Sequence, residues 1–565
     1  MGPCEPPFRR RRLSQSALAL GCLIALVPLA WLDPEHRQLL PLAGWLAAMV
    51  LYLLLWPRPR SSPRWRPPPG LVIIFSAYAV VLFIAFCFIY DNWRWATTGD
   101  SISFYQIGEE IAQGNTWINP LNVRGVWQQF TVVQATLQNA FMNICISLFT
   151  HRLGNLLTSA LLVIAAASLA RQTSGATAAV LLALFLPLNS VFDVFTLVSY
   201  PNLSGVLPYY AAYALFLAAW GRRDSDFVWA ALGLTCGLAV YFPPLWMAAV
   251  GLVSFCVVAS AVHRGTARPF LVWAGGAIVA GAPALVQLRK LINIWFVFRP
   301  TESLTVDYFL RIAWQAATLP LGTFLAGYGS DGTWLRPPYG YLFLGGVALA
   351  ALSGIQAVRG RPRSRALQCA WLWLVLFGSD IAGLALANSG YPTVSLKRAI
   401  VMLPSMTYFV VLPLAWVMER LRRRWIGVTL ALLAFLPYAY LNTTCLWRSE
   451  YGFNLTDGLV EISQTAPGRV LLVSPNPDWP RAFGQNGENS LLQRIYGIQD
   501  HTTVTADLPS RRDDFDRVVC FSSLDGEEWT TRVRAAVRQL CPNAAKQPIN
   551  TQLECWVCPS ASSPG

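Results

Sequence analysis

Three places in the sequence combine residue types that can carry chemistry. Directly after the apolar run 71–90 comes Thr97-Thr98-Gly99-Asp100-Ser101-Ile102-Ser103-Phe104-Tyr105-Gln106-Ile107-Gly108-Glu109-Glu110, an acidic, amphipathic segment. A carboxylate at the water boundary just beyond a spanning helix marks a functional candidate. Read as a helix, the segment starts at Asp100, sets Ile102, Tyr105 and Glu109 on adjacent turns, and closes at Gly114-Asn115. Asp100 also has a plainer reading as the N-cap of that helix, worth about 1 kcal/mol. Glu109 and Glu110 have one as a solvated face.

The second place is Asp193, in the apolar stretch Ser190-Val191-Phe192-Asp193-Val194-Phe195. An acid there is costly to keep and marks a functional candidate; the alternative is a helix-end residue reaching the interface. The third is Tyr391-Pro392-Thr393-Val394-Ser395-Leu396-Lys397-Arg398-Ala399, which leads through Met402-Leu403-Pro404 into another apolar run. Arginine offers a bidentate fork and lysine a point charge, so Lys397 and Arg398 suit a phosphate, with interfacial anchoring as the alternative. Arg289-Lys290, Arg299 and Arg311 are weaker candidates in a stretch with Trp295, Trp314, Tyr328, Trp334 and Tyr339, a composition that fits an interfacial aromatic belt.

The elements that position these residues are apolar helices. Apolar residues make up 55% of the chain, charged residues 13%, and mean hydropathy is +0.43. A soluble domain carries about 25% charge, so most of this chain faces lipid. Runs long enough to cross a bilayer occur near 13–32, 39–56, 71–90, 153–170, 176–198, 203–220, 227–242, 244–262, 270–288, 339–358, 367–387, 399–418 and 425–441. Arg9 to Arg12 ahead of 13–32 resembles a signal peptide, but the stretch is too long and lacks a small-residue cleavage site, so it reads as the first span.

The net charge of +14 comes from arginines clustered in short loops between these runs. The clusters at 9–12, 58–66, 171, 222–223, 264–268, 359–365 and 420–424 all fall on one side of a single topology with a cytoplasmic N-terminus. That pattern explains the charge without nucleic acid. It leaves 91–152, 289–338, 388–398 and the C-terminus on the outer side. Arginine outnumbers lysine more than tenfold, which points to a GC-rich bacterial genome and so to a bacterial inner membrane in the cell envelope.

The tail 442–565 differs in kind. It reads as a small α/β domain, with strands at 469–474, 502–506, 517–522 and 552–557 and helices at 488–496 and 527–540. Cys445, Cys520, Cys541, Cys555 and Cys558 lie here, and an extracytoplasmic domain permits one or two disulfides. Asn202-Leu203-Ser204, Asn442-Thr443-Thr444 and Asn454-Leu455-Thr456 are glycosylation triplets on the outer side.

No P-loop or Gly-rich dinucleotide fingerprint occurs, and the four histidines are scattered. Every cytoplasmic loop is short, so an activated substrate would have to come from the membrane. The spacing of Asp100, Tyr105, the stretch Ile107 to Ala112, and Gly114, in a loop after a helix, resembles the membrane-embedded GT-C glycosyltransferases. That group includes protein O-mannosyltransferases, bacterial aminoarabinose transferases and oligosaccharyltransferase subunits, and the resemblance covers roughly 71–441. The chain departs from it in having two spans before the acidic loop and a single acid, Asp100-Ser101, where a pair is common.

The resemblance implies transfer of a sugar from a polyprenyl-phosphate donor to a glycan, lipid or protein acceptor on the outer face. It makes Asp100 the catalytic carboxylate, Asp193 the second acid, and Tyr105, Glu109, Lys397 and Arg398 substrate-binding residues. A divalent metal would enter only where Asp100 and Asp193 converge. A transporter or flippase would instead need inverted repeats and mid-span charges; no repeat is visible, and the acids singled out lie near the outer boundary. A lipid-linked polysaccharide polymerase or ligase would lean on Arg299, Arg311 and Arg336. A scaffold that binds a partner through its outer domain is the third rival.

The expected architecture is an all-α polytopic membrane protein of about thirteen transmembrane helices with a small C-terminal extracytoplasmic α/β domain. Its parts are two spans and a linker at 1–70, a catalytic region at 71–441, and the tail at 442–565.

Overall fold

The computed structural model describes residues 39–56, 148–197, 201–220, 226–242, 247–286, 305–318, 339–360, 364, 366–387, 394, 396–421, 423–448, 469–475, 502–505, 507–511, 515–520, 526–548 and 553–558. The expected spans at 13–32 and 71–90 and the helix at 488–496 lie outside these residues. The helices are α1 (Leu39–Leu54), α2 (Leu148–Phe185), α3 (Ser190–Leu197), α4 (Pro201–Trp220), α5 (Asp226–Leu238), α6 (Met247–His263) and α7 (Arg268–Val286). They continue with α8 (Val306–Thr318), α9 (Tyr339–Val358), α10 (Leu372–Ala387), α11 (Leu396–Ala399), α12 (Leu403–Arg420), α13 (Arg424–Arg448) and α14 (Gly526–Leu540). Four helical stretches are long and apolar enough to cross a membrane, and six shorter apolar helices accompany them.

The two spans expected at 153–170 and 176–198 form one element that doubles back. Gly175, at φ 89°, takes a left-handed conformation that only glycine adopts without strain, and it reverses α2 there. The backbone freed by the reversal is used: Cys369 donates its N–H to Thr173 O at 3.1 Å, and the Trp373 indole donates to Thr173 Oγ1 at 2.9 Å. Chain reversals then place Arg171, Arg264, Arg268, Arg359 and Arg420 at one end of the bundle. Arg268 pairs there with Asp226, and Arg264 donates to Trp220 O at 2.8 Å. The opposite end carries α3, α8, α11 and the C-terminus of α13.

Glycines set the tightest helix crossings. A Cβ at Gly233 of α5 would collide with the Trp273 carbonyl, and one at Gly346 of α9 with the Phe409 carbonyl of α12. Without a hydrophobic drive between helices in lipid, such close approach supplies the packing. α1 docks on α7 through Trp45, whose indole donates to Ala280 O at 3.1 Å, and Tyr52, whose hydroxyl donates to Val272 O at 2.6 Å.

The tail holds β1 (Val470–Val473), β2 (Thr502–Thr505), β3 (Arg517–Cys520), β4 (Ala545–Pro548) and β5 (Glu554–Val557) in the order β2-β1-β3-β5-β4. β1 pairs in parallel with β2 and β3, whereas β5 runs antiparallel to β3 and β4. The four expected strands are present; β4 is additional. Its sequence, Ala-Lys-Gln-Pro, has no apolar alternation because it is an edge strand guarded by a lysine and a proline.

Among the described residues the expected disulfides are not formed: Cys520, Cys541, Cys555 and Cys558 are buried thiols. Cys555 and Cys558 lie about 10 Å apart along extended chain, beyond the ~7 Å Cα limit for a bridge. Burial pushes the Cys555 thiol up to about 11, so it stays protonated and inert at neutral pH. Asn442, of one of the three triplets, is half-buried inside α13, and its amide donates to Tyr438 O at 2.9 Å.

Glu554 ties the sheet edge to α14. Burial alone would raise its carboxyl, but bonds from Lys546 at 2.9 Å and Arg534 at 3.0 Å hold it below its ordinary value. A depressed carboxyl stabilises the fold above the unfolded value of about 4.3 and loses that contribution as pH falls. Glu554→Gln should therefore destabilise the sheet by about 1–2 kcal/mol at neutral pH, with the deficit shrinking as the medium is acidified below that value. Hydrogen exchange of β5 amides in the full chain across pH measures both effects.

Candidate functional site

α3 has only eight residues, and side chains from its neighbours hold both ends. At its C-terminus the Asn155 amide of α2 donates to Phe195 O at 2.7 Å and Thr196 O at 2.9 Å. At its N-terminus Ser190 N–H donates to Asn442 Oδ1 of α13 at 3.0 Å, and Val191 N–H to Asn189 Oδ1 at 3.0 Å. Asn189 in turn donates to the Tyr438 hydroxyl at 3.1 Å. These contacts satisfy the carbonyls and amides that a short helix leaves bare.

Asp193 sits between the two clips, 5% exposed. The buried Arg152, Asn155, Thr158 and Ser159 line the same end of α2. Among the described residues no group of three or more His, Cys, Asp or Glu side chains converges to hold a metal.

The basic turn lies at this same end. Lys397 and Arg398 belong to α11, and Arg398 is half-buried. Val394 N–H, just ahead of them, donates to Gln315 Oε1 of α8 at 3.0 Å. α8 is amphipathic: Tyr308, Ile312 and Ala316 face the bundle, while Val306, Leu310 and Trp314 are exposed. That outward stripe fits the interfacial belt expected for Trp314; Arg311 is exposed on the same helix. Asp100, Tyr105 and Glu109, together with Arg289, Lys290, Arg299 and Arg336, lie outside the described residues.

One group went unnoticed in the sequence. Asp380, fully buried in the middle of α10, accepts from Ser405 Oγ at 2.5 Å and from the Tyr210 hydroxyl at 3.1 Å, both on its Oδ2. An acid inside the apolar run Leu372–Ala387 is the signal that finds it. It departs from the expectation that the notable acids sit near the outer boundary.

No protein-family profile and no curated protein matches the sequence. Solved structures do. ArnT from Cupriavidus metallidurans in the apo state aligns at 14% identity over 86% of this chain and 97% of its own, with a TM-score of 0.50. The same enzyme bound to undecaprenyl phosphate aligns at 15% identity over 88% and 99%, with a TM-score of 0.49. AglB from Archaeoglobus fulgidus, in complex with an inhibitory peptide and a dolichol-phosphate, aligns at 13% identity over 87% and 75%, with a TM-score of 0.45.

Asn155→Ala would leave two buried carbonyls of α3 bare, at about 1–3 kcal/mol. Thr158→Ala, whose hydroxyl bonds only within α2 to Asn155 O, should cost less. Thermal midpoints of the two variants in detergent check the difference. The bundle shares its fold with the ArnT structure in the apo state.

Proposed function

We propose that this chain is a membrane glycosyltransferase that moves a sugar from a polyprenyl-phosphate donor to an acceptor at the membrane surface. The observation that supports the reading is a placement: a buried carboxylate, Asp193, and the basic turn of Lys397 and Arg398 occupy one end of a bundle with the GT-C fold.

The chemistry follows from those side chains and the first acidic loop. Asp100 takes the proton of the acceptor as its oxygen attacks the anomeric carbon. The bond from that carbon to the phosphate oxygen breaks, and the polyprenyl phosphate leaves with the electron pair. Attack opposite the leaving group inverts the anomeric centre. Lys397 and Arg398 neutralise the charge on the departing phosphate, which lowers the barrier where charge develops. Tyr105 and Glu109 bind the substrate, and Asp193 orients the acceptor; where Asp100 and Asp193 converge, their carboxylates would hold a divalent metal.

Asp100→Asn should express and fold as the parent does while losing roughly 10²–10⁴-fold in transfer rate. The check is single-turnover transfer from a polyprenyl-phosphate sugar in detergent; full activity in the variant would remove Asp100 as the base.

A further inference from the structure

The run from Leu396 to Arg420 is one helical path with a defect in it. Pro404 has no N–H, and its ring clashes with the carbonyl four residues earlier, so the α-helical ladder cannot run through this stretch. Residues Ile400–Met402 tighten into a 3₁₀ turn between α11 and α12. At the defect a side chain from another helix enters the ladder. In an unbroken helix Ser405 N–H would donate to Val401 O. Here Ser405 N–H donates to the Tyr210 hydroxyl of α4 at 3.2 Å, and the oxygen of that hydroxyl sits 3.2 Å from Val401 O and 2.7 Å from Ser405 Oγ. A hydroxyl inserted in this way bends a helix.

Asp380 holds the inserted group. Its Oδ2 accepts from Tyr210 at 3.1 Å and from Ser405 Oγ at 2.5 Å, so one oxygen of α10 gathers both sides of the break. The neighbouring Tyr209 hydroxyl also faces this carboxylate. Arg398 lies seven residues before Ser405, on the short turn whose direction the break sets.

We propose that Asp380 is a positioning residue: through Tyr210 and Ser405 it fixes the junction between α11 and α12, and so directs Arg398 towards the phosphate of a lipid-linked substrate. This rests on the reading of the basic turn as a phosphate site. Asp380 itself stays in the bundle and touches no substrate. The third hydroxyl pair of the region supplies a control. Tyr213 of α4 donates to Ser379 Oγ of α10 at 2.7 Å, joining the same two helices without entering the ladder.

The test is binding of undecaprenyl phosphate to the detergent-solubilised full chain, read as the ligand-induced rise in thermal midpoint. Tyr210→Phe and Asp380→Asn should each weaken binding by roughly tenfold, the scale of one lost charge-assisted bond. The double variant should be no worse than either single one, because both act through one junction. Tyr213→Phe should bind as the parent does. Equal losses in all three, Tyr213→Phe included, would mean helix packing alone and overturn the proposal. Unchanged binding in Tyr210→Phe and Asp380→Asn, with binding lost in Arg398→Gln, would overturn the positioning role and leave the phosphate site standing. Unchanged binding in Arg398→Gln would remove the phosphate reading, and the proposal with it. Tyr210→Phe keeps its ring and carries the test if Asp380→Asn does not fold.

Discussion

A backbone amide or carbonyl that leaves the helical ladder inside hydrocarbon has no water to turn to. Three irregularities in this bundle each have a side chain or a neighbouring backbone group assigned to them. The Gly175 reversal is met by the Cys369 amide and the Trp373 indole, the ends of α3 by Asn155 and Asn442, and the break before α12 by Tyr210. Two of these three defects lie on the elements that carry Asp193 and Arg398. Irregular backbone is costly, so its placement beside the candidate chemistry is consistent with pieces that must point rather than merely span.

The regular part of the bundle makes those defects tolerable. Gly233 and Gly346 let carbonyls of neighbouring helices approach where any side chain would collide, and Trp373 stacks on Tyr408 with ring centroids 4.0 Å apart. Interhelical hydrogen bonds in membranes average only about 0.6 kcal/mol, so the polar clips contribute less to stability than this packing. Their value lies in direction. An amide with two acceptors, such as Asn155, fixes the azimuth of α3, and the hydroxyl of Tyr210 fixes a junction.

The tail obeys different rules, as an element bathed in water does. Its sheet buries apolar strands at the centre and leaves a short, charged strand at one edge, where Lys546 and Arg534 meet Glu554. Its cysteines pack as small apolar side chains, and their spacing along an extended strand keeps Cys555 and Cys558 from reaching each other.

Much of this was legible in the chain. Low charge, long apolar runs and the arginine pattern determined a membrane bundle, and short runs of apolar and β-branched residues marked β1, β2, β3 and β5, because burial against lipid or a core is written in composition. Asp193 and the Lys397-Arg398 pair stood out because charge is expensive in apolar surroundings. The sequence was silent on what partners those charges. Asn155 meets Phe195 across 40 residues and Tyr210 meets Ser405 across 195, and no local period encodes such a meeting. The fold of α2 on itself, the edge strand β4, the thiol state of the cysteines and the wedge of Tyr210 were all decided by tertiary structure. Each depends on which distant group arrives to satisfy a backbone atom or to occupy a space, and that is a property of the packed bundle alone.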